Sequence, residues 1–413
     1  MNYEGVDAAR LASEIDELAL LSDAEPPAVT RIVFTETDRK ARNWLLLQCE
    51  KAGLESREDP IGNIFARWIG SEPHAAAIGT GSHIDAIPNA GKYDGVVGVL
   101  GGLEAIRSLQ RRGYRPKRSI ELLVFTSEEP TRFGIGCLGS RLLSGTLSAA
   151  AARKLQDQQG APLEEVRQAA GLNGKLEEVK LHAGYYKAFV ELHIEQGPLL
   201  ERQKISLGIV TQIAAPASFR ISIEGSGGHA GGMLMPDRRD ALCAAAELIL
   251  AIETAARTSG AVDTVATVGI CDVFPAAINS IPARVNLTAD IRDTNLERRD
   301  GAIRAMEQAS QTIAAKREVR VQIEQLNADA PAECDPEIVE ALSRSCRTHG
   351  QEFVTMISRA YHDSLFMSRI APVAMLFIPC RHGYSHRPDE YASPEDIQRG
   401  VAVLAETLAA LAG

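Results

Sequence analysis

Apolar residues recur along this chain with two different periods, and the period changes from segment to segment. Residues 8–22 and 35–53 repeat apolar positions at helical spacing. Residues 63–68 and 76–81 read as strands, and a Gly-rich stretch from Gly91 to Gly102 leads into a helix ending near Gly113. Residues 119–126 (SIELLVFT) form a short apolar run with the flanks of a buried strand. Residues 147–180 are polar, rich in Ala and Gln, and read as helical and peripheral. Residues 189–194 form another strand. Strands alternating with helices predict an α/β domain.

Near Gln212 the texture changes. Strands are expected at 219–224, 262–274, 284–291 and 319–325, with helices at 238–256 and 297–316. The order βαββαβ is that of a ferredoxin-like unit. Helix and strand then alternate again at 335–349, 373–378 and 394–411. The expected architecture is a discontinuous α/β catalytic domain, residues 1–212 and 328–413, with residues 213–327 inserted as a smaller domain.

Charge and composition narrow the function classes. Acidic residues outnumber basic ones 54 to 44, a formal net charge of −10, which argues against a nucleic-acid binder needing a basic face. No apolar run reaches the ~18 residues of a membrane helix. The first residues lack the basic and apolar regions of a signal peptide. Seven dispersed cysteines without a CxxC suggest reduced thiols and a cytoplasmic setting.

Chemistry concentrates just beyond the predicted strands. In Ser82-His83-Ile84-Asp85, residues two apart on an extended segment share a side, so Asp85 could orient His83 while the other ring nitrogen holds a metal. Asp94 sits on a Gly-flanked turn before a helix. It could protrude as a ligand or serve as the helix N-cap, with His83 a satisfied strand-end histidine. Glu128-Glu129 follows the SIELLVFT run, at the end where open α/β sheets place ligands. Adjacent residues diverge, so one can bind metal while the other acts as base to an activated water. A solvated loop pair is the plainer alternative. His193 and Glu195 end another strand, and His382 and His386 lie in a loop after the 373–378 strand. Together His83, Asp94, Glu129, His193 and His386 suffice for two metals, with Asp94 bridging. Mixed imidazole and carboxylate ligation suits Zn, Mn or Co rather than Mg alone. Gly134-Ile-Gly-Cys-Leu-Gly139 matches GxGxxG formally but does not directly follow a strand, so no dinucleotide site is expected.

The segments GSHIDAIPNAGKYDGVVGVLGGLEAI, FTSEEPTRFGIGCLGSR, ELHIEQGP, GGHAGGMLMPDRRDAL, NSIPARVNLTADIRD and AYHDSLFMSRIAPVAMLFIPCRHGYSHRPDEY span residues 81 to 391. In this order they resemble the metal-dependent hydantoinase/carbamoylase amidohydrolases, a group within the aminoacylase/carboxypeptidase-like superfamily. The group includes N-carbamoyl-L-amino-acid hydrolases, β-ureidopropionases, allantoate amidohydrolases and ureidoglycolate amidohydrolases.

The resemblance implies that His83, Asp94 and His193 hold one metal and Asp94, Glu129 and His386 the other. Two divalent ions per subunit are implied, manganese foremost, with Zn, Co or Ni also compatible. Glu128 would be the general base, with Asp85 orienting His83. Gln196, His229, Asn279 and Arg292 match substrate-binding positions. Arg292 would clamp a carboxylate with its planar fork, and His229, from a partner subunit, would polarise the scissile carbonyl. Without the resemblance, Arg292 could equally be a surface salt bridge between Asp290 and Asp293, and His229 a histidine filling a Gly-rich turn. The inserted domain would be lid and homodimer surface.

Tyr361 stands where many of the group carry Gly before the His-Asp pair, here His362-Asp363. A phenol there would fill the space of a bulky substrate side chain and offer a hydrogen bond, unless it packs outside the pocket. That, with the tail AYHDSLFMSRIAP and GYSH, is most similar to the ureidoglycolate branch. The expected reaction is cleavage of the ureido C–N bond of ureidoglycolate to glyoxylate, ammonia and carbon dioxide. The expected partners are a small ureido substrate bearing a carboxylate and a second copy of the chain, with no nucleic acid or membrane. A carbamoylase or allantoate amidohydrolase, a peptidase-type hydrolase and a metal-free scaffold are the alternatives.

Overall fold

The computed structural model describes residues 5–413, and its chain divides into two compact units. One takes in the chain up to Thr211, then Glu333–Ser358 and His362–Gly413; the other comprises Gln212–Ala332 with Arg359–Tyr361. The second boundary lies a few residues beyond the 327/328 expected from the sequence. The last strand of the inserted unit is the reason: it runs on to Ala328. The return of Arg359–Tyr361 to that unit has no signal in the local pattern.

The first unit is built on a nine-stranded sheet. Its spine follows the order Leu207–Ile213, Val373–Ile378, Tyr186–Ile194, Ala77–His83, Ile120–Phe125, Ile64–Trp68 and Glu55–Glu58. The four strands Val373–Ile378, Tyr186–Ile194, Ala77–His83 and Ile120–Phe125 are parallel, and those flanking them are antiparallel. Ile120–Phe125 and Val373–Ile378 are buried along their whole length, which is why they read as unbroken apolar runs rather than alternating ones. The one polar side chain in these two strands is paired. Glu121 accepts Arg67 Nε at 2.6 Å and the Tyr186 hydroxyl at 2.7 Å.

The helices Val96–Arg111 and Pro394–Ala412 pack together and on this sheet. The second starts at a Ser393 cap whose hydroxyl accepts the Asp396 amide, with Pro394 in the first turn. Another core cluster joins Phe65, Phe125 and Phe189 to Leu163, Val166, Leu172, Leu176 and Val179. That corrects the expectation for residues 147–180. They form short pieces, Ala149–Ala152, Leu163–Ala169 and a 3₁₀ turn at Leu176–Glu178. Their sparse leucines and valines are core, because each short piece turns its few apolar residues inward.

The second unit has the βαββαβ order read from the sequence. Its sheet runs Val265–Phe274, Arg284–Asp293, Ala215–Glu224, Arg320–Ala328, antiparallel throughout. Burial alternates along Arg284–Asp293, the period-two pattern of a sheet with one covered face. The helices Ala241–Arg257 and Leu296–Arg317 supply that cover. Val265–Phe274 is an edge strand.

Candidate metal centre

Four of the candidate ligands lie at or just beyond the ends of the four parallel strands. His83 closes Ala77–His83, and His193 is the penultimate residue of Tyr186–Ile194. Glu129 follows Ile120–Phe125, and His386 lies in the loop after Val373–Ile378. Asp94 comes from the turn ahead of Val96–Arg111. Gly95 follows it with φ 66°, and a Cβ there would stand 2.5 Å from the His83 imidazole. Glycine is thus required for this turn to approach so closely. The N-cap position belongs to Gly95, and no side chain caps the helix. Asp94 is therefore released from capping and points into the cluster.

Its two oxygens face different partners. Oδ1 lies 3.7 Å from His83 Nε2 and 3.2 Å from His193 Nε2. Oδ2 lies 3.2 Å from His386 Nε2, which is 3.3 Å from Glu129 Oε1. Ligand atoms about 2.1 Å from a tetrahedral cation stand about 3.4 Å apart, so these gaps match coordination edges. The groups His83–Asp94–His193 and Asp94–Glu129–His386 share Asp94 and fit a pair of cations. A third grouping, Glu191–His193–His362, is engaged otherwise. Glu191 accepts the hydroxyls of Ser82 and Ser364 at 2.7 and 2.6 Å, and His362 Nε2 lies 3.1 Å from Ser358 Oγ.

The ring nitrogens turned away from Asp94 meet carbonyls. His193 Nδ1 lies 2.9 Å from Ile194 O and His83 Nδ1 3.0 Å from Asp85 O. An N–H donated there turns each Nε2 toward the cluster, where its lone pair serves a cation once the proton shared with Asp94 is displaced. The Asp85 carboxylate, expected to orient His83, stands 3.6 Å from Nδ1 and also accepts the amides of Glu128 and Glu129 at 3.2 and 3.1 Å. It shapes the turn that presents both glutamates. Ser127 within that turn has φ 55°, and Gln196 and His386 have φ 53° and 60°. Such conformations cost on the order of 1 kcal/mol each and cluster at functional sites.

The two key carboxylates sit in opposite electrostatic settings. Burial lifts Glu128 well above the usual carboxylate range; His83 opposes this and Glu129 adds to it. For Asp94, burial pushes upward, but hydrogen bonds from His193, His386 and His83 outweigh it and hold the group well below that range. The two environments thus give the two carboxylates very different proton affinities. Glu128 Oε2 stands 3.7 Å from His83 Nε2, beside the cluster. His386 is pushed up to about 11 by its hydrogen bonds to Asp94 and Glu129, and a cation taking its place must displace that proton.

Other predicted residues fall into two places. Gln196, expected against substrate, has its amide Nε2 2.7 Å from Asp94 Oδ2 and 3.2 Å from Ser385 Oγ. His362 is buried, its ring centroid 4.5 Å from that of His193. In the inserted unit, the Arg292 guanidinium lies 5.4 Å from the Tyr361 ring centroid, and its Nε donates to Asp290 at 2.6 Å. Asp293 pairs with Arg298 instead. His229 accepts the Gly231 amide through Nδ1 at 3.1 Å and shares a cavity of about 670 Å³ with Asn279 and Phe274. Sequence reasoning missed Ser385 and Glu390. A hydroxyl beside a ligand and one acid in a polar loop carry no periodic signal.

The chain matches the family model described as Peptidase family M20/M25/M40 over residues 79–410. It is 51% identical to the ureidoglycolate hydrolase of Arabidopsis thaliana, over 98% of this chain and 87% of that one. It is 38% identical to the N-carbamoyl-L-amino acid amidohydrolase of Geobacillus stearothermophilus, over 98% and 99% of the two chains. The crystal structures of AtUAH in complex with (S)-hydroxyglycine and with glyoxylate each align with a TM-score of 0.92 at 50% identity, covering 98% of both chains.

Proposed function

The chain belongs to peptidase family M20/M25/M40, and on that premise we propose that it is an amidohydrolase cleaving the ureido C–N bond of ureidoglycolate. The observation that carries the reading is the Asp94 carboxylate, one oxygen toward His83 and His193 and the other toward His386. The family is metal-dependent, and two divalent cations, manganese foremost, fit these residues; when bound they would supply Lewis acidity and lower the pKa of water. His83, Asp94 and His193 would hold one ion and Asp94, Glu129 and His386 the other.

Glu128 accepts a proton from the attacking water and delivers it to the departing nitrogen. Its raised proton affinity favours that exchange. Arg292 pairs the substrate carboxylate, and Tyr361 beside it leaves room for a hydroxyl rather than a bulky α-substituent. His229 and Asn279 polarise the ureido carbonyl, and Gln196 and His362 line the substrate's approach to Asp94 and His193. Ammonia, carbon dioxide and hydroxyglycine result, the last decaying to glyoxylate and a second ammonia. The two AtUAH complexes, one with (S)-hydroxyglycine and one with glyoxylate, support this sequence of products.

The inserted unit serves as lid and homodimer surface. Support comes from its edge strand Val265–Phe274, where Ile270 is 50% exposed, and from exposed Leu250 on the helix Ala241–Arg257. A cytoplasmic enzyme without nucleic-acid or membrane partners fits the acidic balance, and no helix among the described residues is long and apolar enough to cross a membrane.

The test is ammonia release by manganese-loaded protein from ureidoglycolate, N-carbamoyl-L-amino acids and allantoate. Ureidoglycolate should lead in kcat/KM by at least about tenfold. Preference for a bulky carbamoyl amino acid would move the chain to the carbamoylase reading and keep the reaction class.

A further inference from the structure

One buried carboxylate beside the ligands takes no part in the chemistry above. Glu390 is 5% exposed. Its Oε1 accepts the backbone amides of Tyr93 and Asp94 at 2.8 and 3.0 Å. Its Oε2 accepts the Ser385 hydroxyl at 2.9 Å, and the same Ser385 Oγ lies 2.7 Å from Asp94 Oδ2. The chain around Asp94 is shaped to admit this glutamate. A Cβ on Gly91 would lie 2.3 Å from the Glu390 Cβ, so the position tolerates no side chain. A buried carboxylate is costly unless donors compensate it; here the two amides do, and the single Ser385 hydroxyl proton is shared between Glu390 and Asp94. The donors come from two segments distant in sequence, one carrying Asp94 and the other Ser385 and His386.

We infer that Glu390 is a positioning residue that ties the Asp94 turn to the Ser385–His386 loop and so preforms the Asp94–Glu129–His386 cation set. The inference rests on the two-cation reading. The His83–Asp94–His193 set depends on Glu390 less, because both histidines belong to strands paired within the sheet. His386 has no such frame. It sits on a loop at φ 60°, its side chain 47% exposed.

Groups that orient ligands from behind typically change metal affinity by about 10- to 100-fold. Manganese titration of the full chain, followed by calorimetry and by electron paramagnetic resonance, separates the two sets. Wild type should take up two ions and give the spectrum of a coupled pair. Glu390→Ala should keep the first ion, bind the second about 10- to 100-fold more weakly, and show an isolated-ion spectrum at one equivalent. Glu390→Gln, which can still accept the two amides, should recover part of the loss. Ser385→Ala, with the glutamate intact, should lose less in the same direction and serves if Glu390→Ala does not fold. Two ions bound by Glu390→Ala with wild-type affinity, or equal weakening of both, would overturn the inference. A wild-type chain that takes up no coupled pair would overturn the two-cation reading and the inference with it.

Discussion

The two halves of the candidate centre are held by different kinds of structure. His83 and His193 are strand residues, almost fully buried, each with its outer ring nitrogen on a backbone carbonyl. His386 is a loop residue, half-exposed and left-handed in its backbone, reached by Asp94 and Glu129. The first half is positioned by sheet register, which any stable fold of this sheet must produce. The second depends on loop contacts that have to be made in addition. A sheet-borne ligand set is rigid and expensive to alter, whereas a loop-borne one can exchange its ion with little disturbance to the fold.

The largest effect should come from the side chain between the halves. Glu128→Gln should lower kcat by about 10²- to 10⁴-fold while leaving bound manganese and KM close to wild type. A variant that loses its ions would make Glu128 a ligand rather than a base.

The halves themselves should respond unequally to truncation. His193→Ala opens a buried site and should cost about 2–4 kcal/mol of stability in the ion-free protein. His386→Ala should cost less, because its half-exposed side chain leaves little cavity and its ion pairs are partly screened by solvent, yet it should abolish uptake of the second ion. Chemical unfolding with metal analysis of both variants checks this, and equal destabilisation would erase the distinction.

The strand-borne half also has a pH signature, through its buttress. Asp59 accepts the Ile61 and Asn63 amides and Asn63 Nδ2, and Asn63 Oδ1 in turn accepts the Thr126 amide just ahead of the glutamate pair. Burial pushes Asp59 up to about 6 from its ordinary 3.8, against those hydrogen bonds. With the folded value above the unfolded one, the folded chain holds the extra proton between these limits. Stability from this group is therefore present below about pH 4 and lost as pH rises through 6, on the order of 3 kcal/mol in all. Asp59→Asn should flatten that part of the stability profile, measured by urea unfolding from pH 4 to 7. A parallel profile would remove Asp59 from the support.

The smallest effect concerns substrate choice, which neither half controls. Tyr361→Gly should narrow the preference for ureidoglycolate over a carbamoyl amino acid by about tenfold, with ion uptake unchanged. An unchanged ratio would show that the phenol packs outside the pocket.

The strand-borne half was also the more legible one in the sequence. Residues 119–126 and 373–378 are apolar runs whose ends announce where ligands can stand, and the clusters at His83, Glu128-Glu129 and His193 sit at such ends. The inserted βαββαβ unit was also readable, through the alternation along Arg284–Asp293 and the apolar face of Ala241–Arg257. The short strand Glu55–Glu58 lacks an apolar signature and was not foreseen; Phe353–Ser358 was missed too, although Phe353, Val354, Met356 and Ile357 are apolar. The nearness of the Asp85 carboxylate to His83 was legible from their spacing, whereas the Asp85 carbonyl 3.0 Å from the ring and the carboxylate's bonds to the Glu128 and Glu129 amides were not, because the chain leaves the strand at His83. Glu390 was invisible for a deeper reason. Its burial and its contacts with Tyr93, Asp94 and Ser385 exist only once segments far apart in sequence have met.

The most direct test of the five-ligand cluster is anomalous diffraction at the manganese edge from crystals grown with that ion. Two peaks about 3.5–4 Å apart, one bounded by His83, Asp94 and His193 and the other by Asp94, Glu129 and His386, are the expected result. Peaks elsewhere, or a single ion that leaves Asp94 touching only one set, would contradict it.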